Sequence, residues 1–335
     1  MKYTKLLTMA AILLGTAGLQ AQTTTAHTKP AGFVTHTLKA GQFNLVGLTL
    51  HNPVTVSGVL NTVSGTTLTD SDVNFGTALT AGKTYILEII ENANDPTYEG
   101  AIQVVTAWSG NTLTTPDDLS AGLDNQTKYQ LRAAATISDV FGATNTAGLQ
   151  GGASATVADN VYVPTAVGFD IYYYSTGGFV GVGWRKVGGG SSDSAETPLV
   201  FADGFYVLRR GADANLVTTG SVKTTSSTTT VTKQYTYISG VYPVGSTLAS
   251  SNLQNSLTGG ASATVADQIL VQNVAGGFDF YYYSTGGFAG VGWRKVGAGN
   301  TDQATVELPS AFIIKRANEV DFNLKITPPT GYQNL

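Results

Sequence analysis

Apolar residues in this chain come in short runs, and no stretch beyond residue 21 carries a long 3.6-residue apolar period. Tyr85 to Ile90, Ile102 to Val105, Phe205 to Leu208 and Phe312 to Ile314 are such runs, each bounded by Gly, Asn, Asp, Pro or Ser. Short runs between turn formers, about ten residues apart, predict strands of a β-sandwich or barrel. Composition agrees. Forty glycines suit turns, while 16 tyrosines and abundant threonine and valine suit strands. The fold class read from this pattern is all-β.

The pattern repeats. Residues 151–188 read GGASATVADNVYVPTAVGFDIYYYSTGGFVGVGWRKVG, and residues 259–297 read GGASATVADQILVQNVAGGFDFYYYSTGGFAGVGWRKVG. The likeness extends weakly downstream, where Gly204–Arg210 parallels Ala311–Arg316, and upstream, where Gln42–Gly47 parallels Gln234–Gly240. A spacing of about 110 residues is domain-sized rather than that of a short solenoid. The expected organisation is two related β-sandwich or barrel-like units. Residues 22–60 and 136–220 form unit one, 61–135 an inserted small β subdomain, and 221–335 unit two. The Thr/Ser-rich segment Ser221–Thr232 reads equally as a linker or an exposed strand.

Within the repeat, Phe169–Tyr174, Ser-Thr-Gly-Gly and Phe179–Val187 read as a hairpin. A two-residue Thr-Gly turn would set Tyr174 opposite Phe179. Phe169, Ile171, Tyr173 and Trp184 would then share a core face, as would Phe278, Phe280, Tyr282 and Trp293 in the second copy. Tyr172, Tyr174 and Arg185, with Tyr281, Tyr283 and Arg294, would share the other face. There Tyr172 would lie over Gly181, as aromatic rings do over cross-strand glycines, and Asp170 would pair with Arg185. The exchanges Ile171 to Phe280 and Val180 to Ala289 read as compensating volume changes in one core.

Trp184-Arg185-Lys186, repeated as Trp293-Arg294-Lys295, is with Tyr172 and Tyr174 the sharpest ligand candidate, because flat rings stack on sugars and Arg or Asp binds hydroxyls; the favoured alternative is that Trp is core and Arg and Lys cover the strand edge. Elsewhere the chemistry is sparse. His27, His36 and His51 lack the three or four convergent ligands of a zinc site, and no Gly-x-Ser-x-Gly elbow is present. Asp70, Asp72 and Asn74 alternate as in a calcium loop, but Phe75 stands where that loop needs glycine and Ala81 where it needs glutamate. The glycine-rich Gly181–Gly188 has no following helix or Gly-Lys-Ser/Thr, so it is no phosphate cradle. Asp95, Asp117, Asp118 and Asp124 sit in apparent turns, and no acid pair is nominated. The expectation is a non-enzyme with no cofactor and no metal. With 12% charged residues and net charge −4, the chain lacks the positive surface of a nucleic-acid binder.

Lys2, Lys5, the apolar Leu6–Leu14 and the small residues up to Ala21 read as a cleaved secretion signal, too short to span a bilayer. The absence of cysteine excludes thiol catalysis and thiolate metal sites.

At Pro30-Ala-Gly-Phe-Val-Thr, Asn44-Leu-Val-Gly-Leu, Val157-Ala-Asp-Asn-Val, the Tyr-Tyr-Tyr…Gly-Trp-Arg-Lys-Val-Gly hairpin and Gly204–Gly211, the chain resembles a family of uncharacterised secreted proteins. These occur as many paralogues in Verrucomicrobia and related bacteria. The resemblance implies export and β structure and carries no activity. Unit two departs from it, with Lys315-Arg316-Ala317 in place of the Arg-Arg-Gly ending.

The reading that follows is an exported, non-enzymatic cell-surface, envelope or matrix protein, structural or adhesin-like, with a glycan or other envelope proteins as partners. The alternative is a carbohydrate-binding module or an accessory protein of polysaccharide degradation. An outer-membrane barrel fits less well, since strands with lipid-facing alternation are few and Leu335 stands where a terminal aromatic is usual.

Overall fold

A computed structural model describes residues 30–317 and 320–332. The signal segment, His27 and Leu335 lie outside the described residues. The fold is all-β, made of antiparallel sheets none of which closes into a barrel.

The two copies of the repeated segment lie in sheets of the same strand order. In unit one a five-stranded sheet runs in the order Val182–Lys186, Gly168–Thr176, Asn160–Thr165, Phe205–Leu208, Phe43–Val46. In unit two the order is Val291–Lys295, Phe278–Thr285, Gln268–Gln272, Ala311–Lys315, Tyr235–Ser239. The weak flanking likenesses thus mark equivalent strands. Each unit also closes on a two-stranded ribbon of its first and last strands: Ala31–Leu38 with Ala214–Ser221, and Ser227–Val231 with Phe322–Ile326. Residues 227–231 of the Thr/Ser-rich segment are therefore a strand. It is not an exposed one, because Ser227, Thr228 and Val231 are buried.

Between the halves of unit one, two four-stranded sheets face each other. One holds Val54–Val59, Lys128–Ala133, Tyr85–Glu91 and Ile102–Val105. The other holds Thr62–Ser64, Thr67–Thr69, Thr112–Thr114 and Ala107–Ser109. Leu68, Phe75, Leu87, Leu113, Tyr129 and Leu131 fill the space between them. Val54–Val59, assigned from sequence to unit one, pairs here. Asp70 is buried in this layer, where its carboxylate accepts the Tyr129 hydroxyl at 2.7 Å and the Asp72 N–H at 2.9 Å. That accounts for the alternating acidic residues as a turn with a buried anchor.

The three layers meet at a buried anion. Glu88, from Tyr85–Glu91, accepts hydrogen bonds from Arg132, from Lys223 and, at 2.8 Å, from Gln130. Lys223 lies on the crossing from unit one to unit two and is fully buried. Its Nζ also reaches the Thr225 hydroxyl, and it stands 5.8 Å from the Phe201 ring centroid. Arg132 donates to the Asn52 carbonyl at 2.6 Å. Beside the cluster, His51 exchanges backbone hydrogen bonds with Ser221, and its Nε2 donates to the Val241 carbonyl at 2.7 Å. Insert, unit one and unit two are thereby joined around one carboxylate.

The units also touch directly. Ser239 donates to Ala202 at 2.9 Å and Gly204 to Tyr237 at 3.1 Å, while the Gln272 side chain accepts from the Leu45 N–H. Gly47 must lack a side chain, since a Cβ would stand 1.9 Å from the Ser310 carbonyl oxygen.

Burial by itself would raise the Glu88 carboxyl, but the Lys223 ammonium and Arg132 guanidinium outweigh it and hold it at about 2. Burial, reinforced by Arg132, pushes His51 down to about 3. In both cases the unfolded chain takes up the proton first as pH falls. The His51 contribution is lost below about 6.5, and the Glu88 contribution below about 4.5 and on toward 2. Denaturant unfolding followed from pH 7 to pH 4 should show stability falling steadily, and a flat profile would contradict the cluster. Glu88→Gln should cost about 3–5 kcal/mol at pH 7, because it strands two buried cations.

Candidate functional site

The repeated hairpin forms, but in another register. Tyr174 faces Trp184, Tyr173 faces Arg185 and Tyr172 faces Lys186. Tyr283, Tyr282 and Tyr281 face Trp293, Arg294 and Lys295 in the same way. The predicted partner of Tyr174 was Phe179, five residues earlier. An odd slip turns every side chain to the opposite face. The cause lies in the connection. The outgoing strand runs to Thr176, a single 3-10 turn occupies Gly178–Val180, and the return strand begins only at Val182.

Trp184 and Trp293 are buried, packed against Tyr174 and Tyr283 at 5.5 Å with rings near perpendicular. Trp184 also donates to the Gly142 carbonyl at 2.9 Å. Tyr172 and Tyr281 join these cores rather than a ligand face. The other proposed core residues lie across the sheet. Phe169, Ile171, Phe278 and Phe280 are half-buried there, and Tyr173 and Tyr282 are buried. Val180 and Ala289 sit in the turn, so their exchange does not compensate Ile171 and Phe280 in one core. Asp170 pairs with Lys186 at 2.7 Å, and Asp279 with Lys295 at 2.6 Å, because those lysines now share their face.

Arg185 and Arg294 are buried, and each builds its own turn. Arg185 donates to the carbonyls of Val180, Trp184 and Val182 at 2.8–2.9 Å. Arg294 does the same to Ala289, Trp293 and Val291 at 2.8–3.0 Å. A planar guanidinium with five donors suits three converging carbonyls. Gly183 has φ +129°, and a Cβ there would stand 3.1 Å from the Arg185 guanidinium. The glycine spacing thus serves the arginine plug rather than a tyrosine ring. At the apex of each plugged turn a phenylalanine stands free. Phe179 is 106% exposed and Phe288 97%. The exposed pairs Val182 and Val291, Val187 and Val296, accompany them.

Two concavities lie elsewhere, at the junction of the units. One, of about 310 Å³, is lined by His36, Tyr242, Leu253, Glu307, Ser310 and Phe312. There His36 Nδ1 is 3.3 Å from the Ser310 hydroxyl and its Nε2 is 3.4 Å from the Thr218 hydroxyl. Burial lowers His36. This places an imidazole beside a serine, with a threonine rather than a carboxylate on the far nitrogen. The other, a cleft of about 870 Å³, runs between the Pro164–Gly168 turn, Asp203 and the start of unit two. Neither was visible in sequence, since both are assembled from segments of both units.

No family model, curated protein or solved structure matches this chain. Its function is therefore argued from its own residues. No helix among the described residues is long and apolar enough to cross a membrane.

Arg185→Met should lower stability by about 2–3 kcal/mol, since the three turn carbonyls lose a charged donor. Amide exchange at Gly181 and Gly183 should rise with it. Unchanged exchange would mean that the turn holds without its plug.

Proposed function

We propose that the chain is an exported, non-enzymatic protein of the cell surface, envelope or matrix that makes adhesin-like contacts through its two hairpin tips. The observation that carries this reading is the pair Phe179 and Phe288, almost wholly exposed on turns that Arg185 and Arg294 hold rigid. A large ring kept in water by a built scaffold, and kept so twice, is suited to burial against a partner. The rigid turn lowers the ordering cost of that burial. Export rests on the signal-like segment at residues 1–21. The partner is another envelope component rather than nucleic acid, given the negative net charge.

The test is fractionation of the native cells followed by rebinding of the purified mature chain to their envelope fraction. The paired variant Phe179→Ser, Phe288→Ser should unfold at the same denaturant concentration as the parent and rebind at least about tenfold more weakly, a loss of about 1.4 kcal/mol. Equal rebinding by the variant, or recovery of the native protein in the cytoplasm, would overturn the reading.

A further inference from the structure

We propose that the cleft between the two units is a binding site for a neutral saccharide, separate from the hairpin tips. Its wall from unit one is Phe169 and the Pro164–Gly168 turn, and its wall from unit two is the segment Thr230–Tyr237. At about 870 Å³ it lies within the range of small-ligand clefts, roughly 300–1,000 Å³.

Three features select the ligand chemistry. The first is aromatic. Phe169 packs on Tyr237 at 5.2 Å, and Tyr206 backs Tyr237 at 5.5 Å, which fixes the two lining rings in place. Tyr235, which also lines the cleft, is 49% exposed and free to lie along a pyranose ring. Rings packed 5.2–6.1 Å from one another leave no room between them for a cation, so the cluster is a platform rather than a cage.

The second is an unanswered carboxylate. Burial pushes the Asp203 carboxyl up to about 6, with no hydrogen bond or neighbouring charge offsetting it. Asp203 sits where the unit-one chain bridges to Ile238 of unit two, and it lines the cleft. Asp203 is half-buried, and a carboxylate that meets no protein donor there can accept hydroxyls from a ligand. The third is the remaining lining. Thr165, Thr230, Thr232, Gln234 and Thr236 supply hydroxyls and an amide beside the cation Lys233 and a second carboxylate, Asp321, a lining suited to a polyhydroxyl ligand.

The experiment is calorimetric titration of the mature chain with a panel of neutral oligosaccharides, with a primary amine and a quaternary ammonium compound as comparison ligands. At least one neutral saccharide should bind. Tyr235→Ala and Asp203→Asn should each weaken it about tenfold or more without lowering the unfolding midpoint. Phe179→Ser should leave saccharide affinity unchanged, which separates this site from the tips. Three results would overturn the proposal: no binding by any neutral saccharide at millimolar concentration, binding unaffected by both cleft variants, or binding of the amines alone.

Discussion

The arrangement of this protein depends on one buried carboxylate. Glu88 lies in the insert, yet its partners come from elsewhere: Arg132 from the neighbouring insert strand and Lys223 from the crossing between the repeated units. An unpaired charge at that depth would cost several kcal/mol, so the three segments are held to one mutual geometry. His51, neutral beside them and bonded to Val241, ties the same point to unit two.

A second pair of ionic contacts repeats with the fold. Asp159 accepts Arg209, together with the backbone N–H groups of Gln150 and Arg210 at 2.6 Å. Asp267 accepts the N–H groups of Thr258 and Ala317 at 2.7–2.8 Å and pairs with Arg316 at 3.5 Å. The recurring Thr-Val-Ala-Asp is thus a clamp between the loop before the central strand and the end of the sheet's fourth strand. It serves architecture in both units, with Arg316 and Ala317 in the places of Arg209 and Arg210, so that Lys315 matches Leu208 rather than the first arginine.

How far the chain could be read depended on whether a signal was local. Strand composition and the repeat were legible, because each follows from residue type and identity over a short span; Trp184 and Trp293 are buried, but on the face opposite to the one assigned. The hairpin register was not. It required knowing that Arg185 would turn back onto the carbonyls of Val180, Val182 and Trp184, which lengthens the turn and moves Tyr172 inward and Phe169 outward. Strand alternation cannot detect this, since glycines at positive φ read the same whether they continue a strand or bend it. Once the register slipped by an odd number, the assignment of ligand face and core face reversed along with it.

The sequence by itself determined an all-β chain, a repeated segment and a tyrosine-rich hairpin within it, since strand composition and internal identity are written along the backbone. Only the tertiary structure decided which aromatics stand free, which are buried and what the units enclose between them. Phe179 owes its exposure to a turn locked from beneath. Asp203, Tyr235 and Phe169 line one cleft because sheet edges far apart in the chain are brought together, and no local pattern encodes that approach.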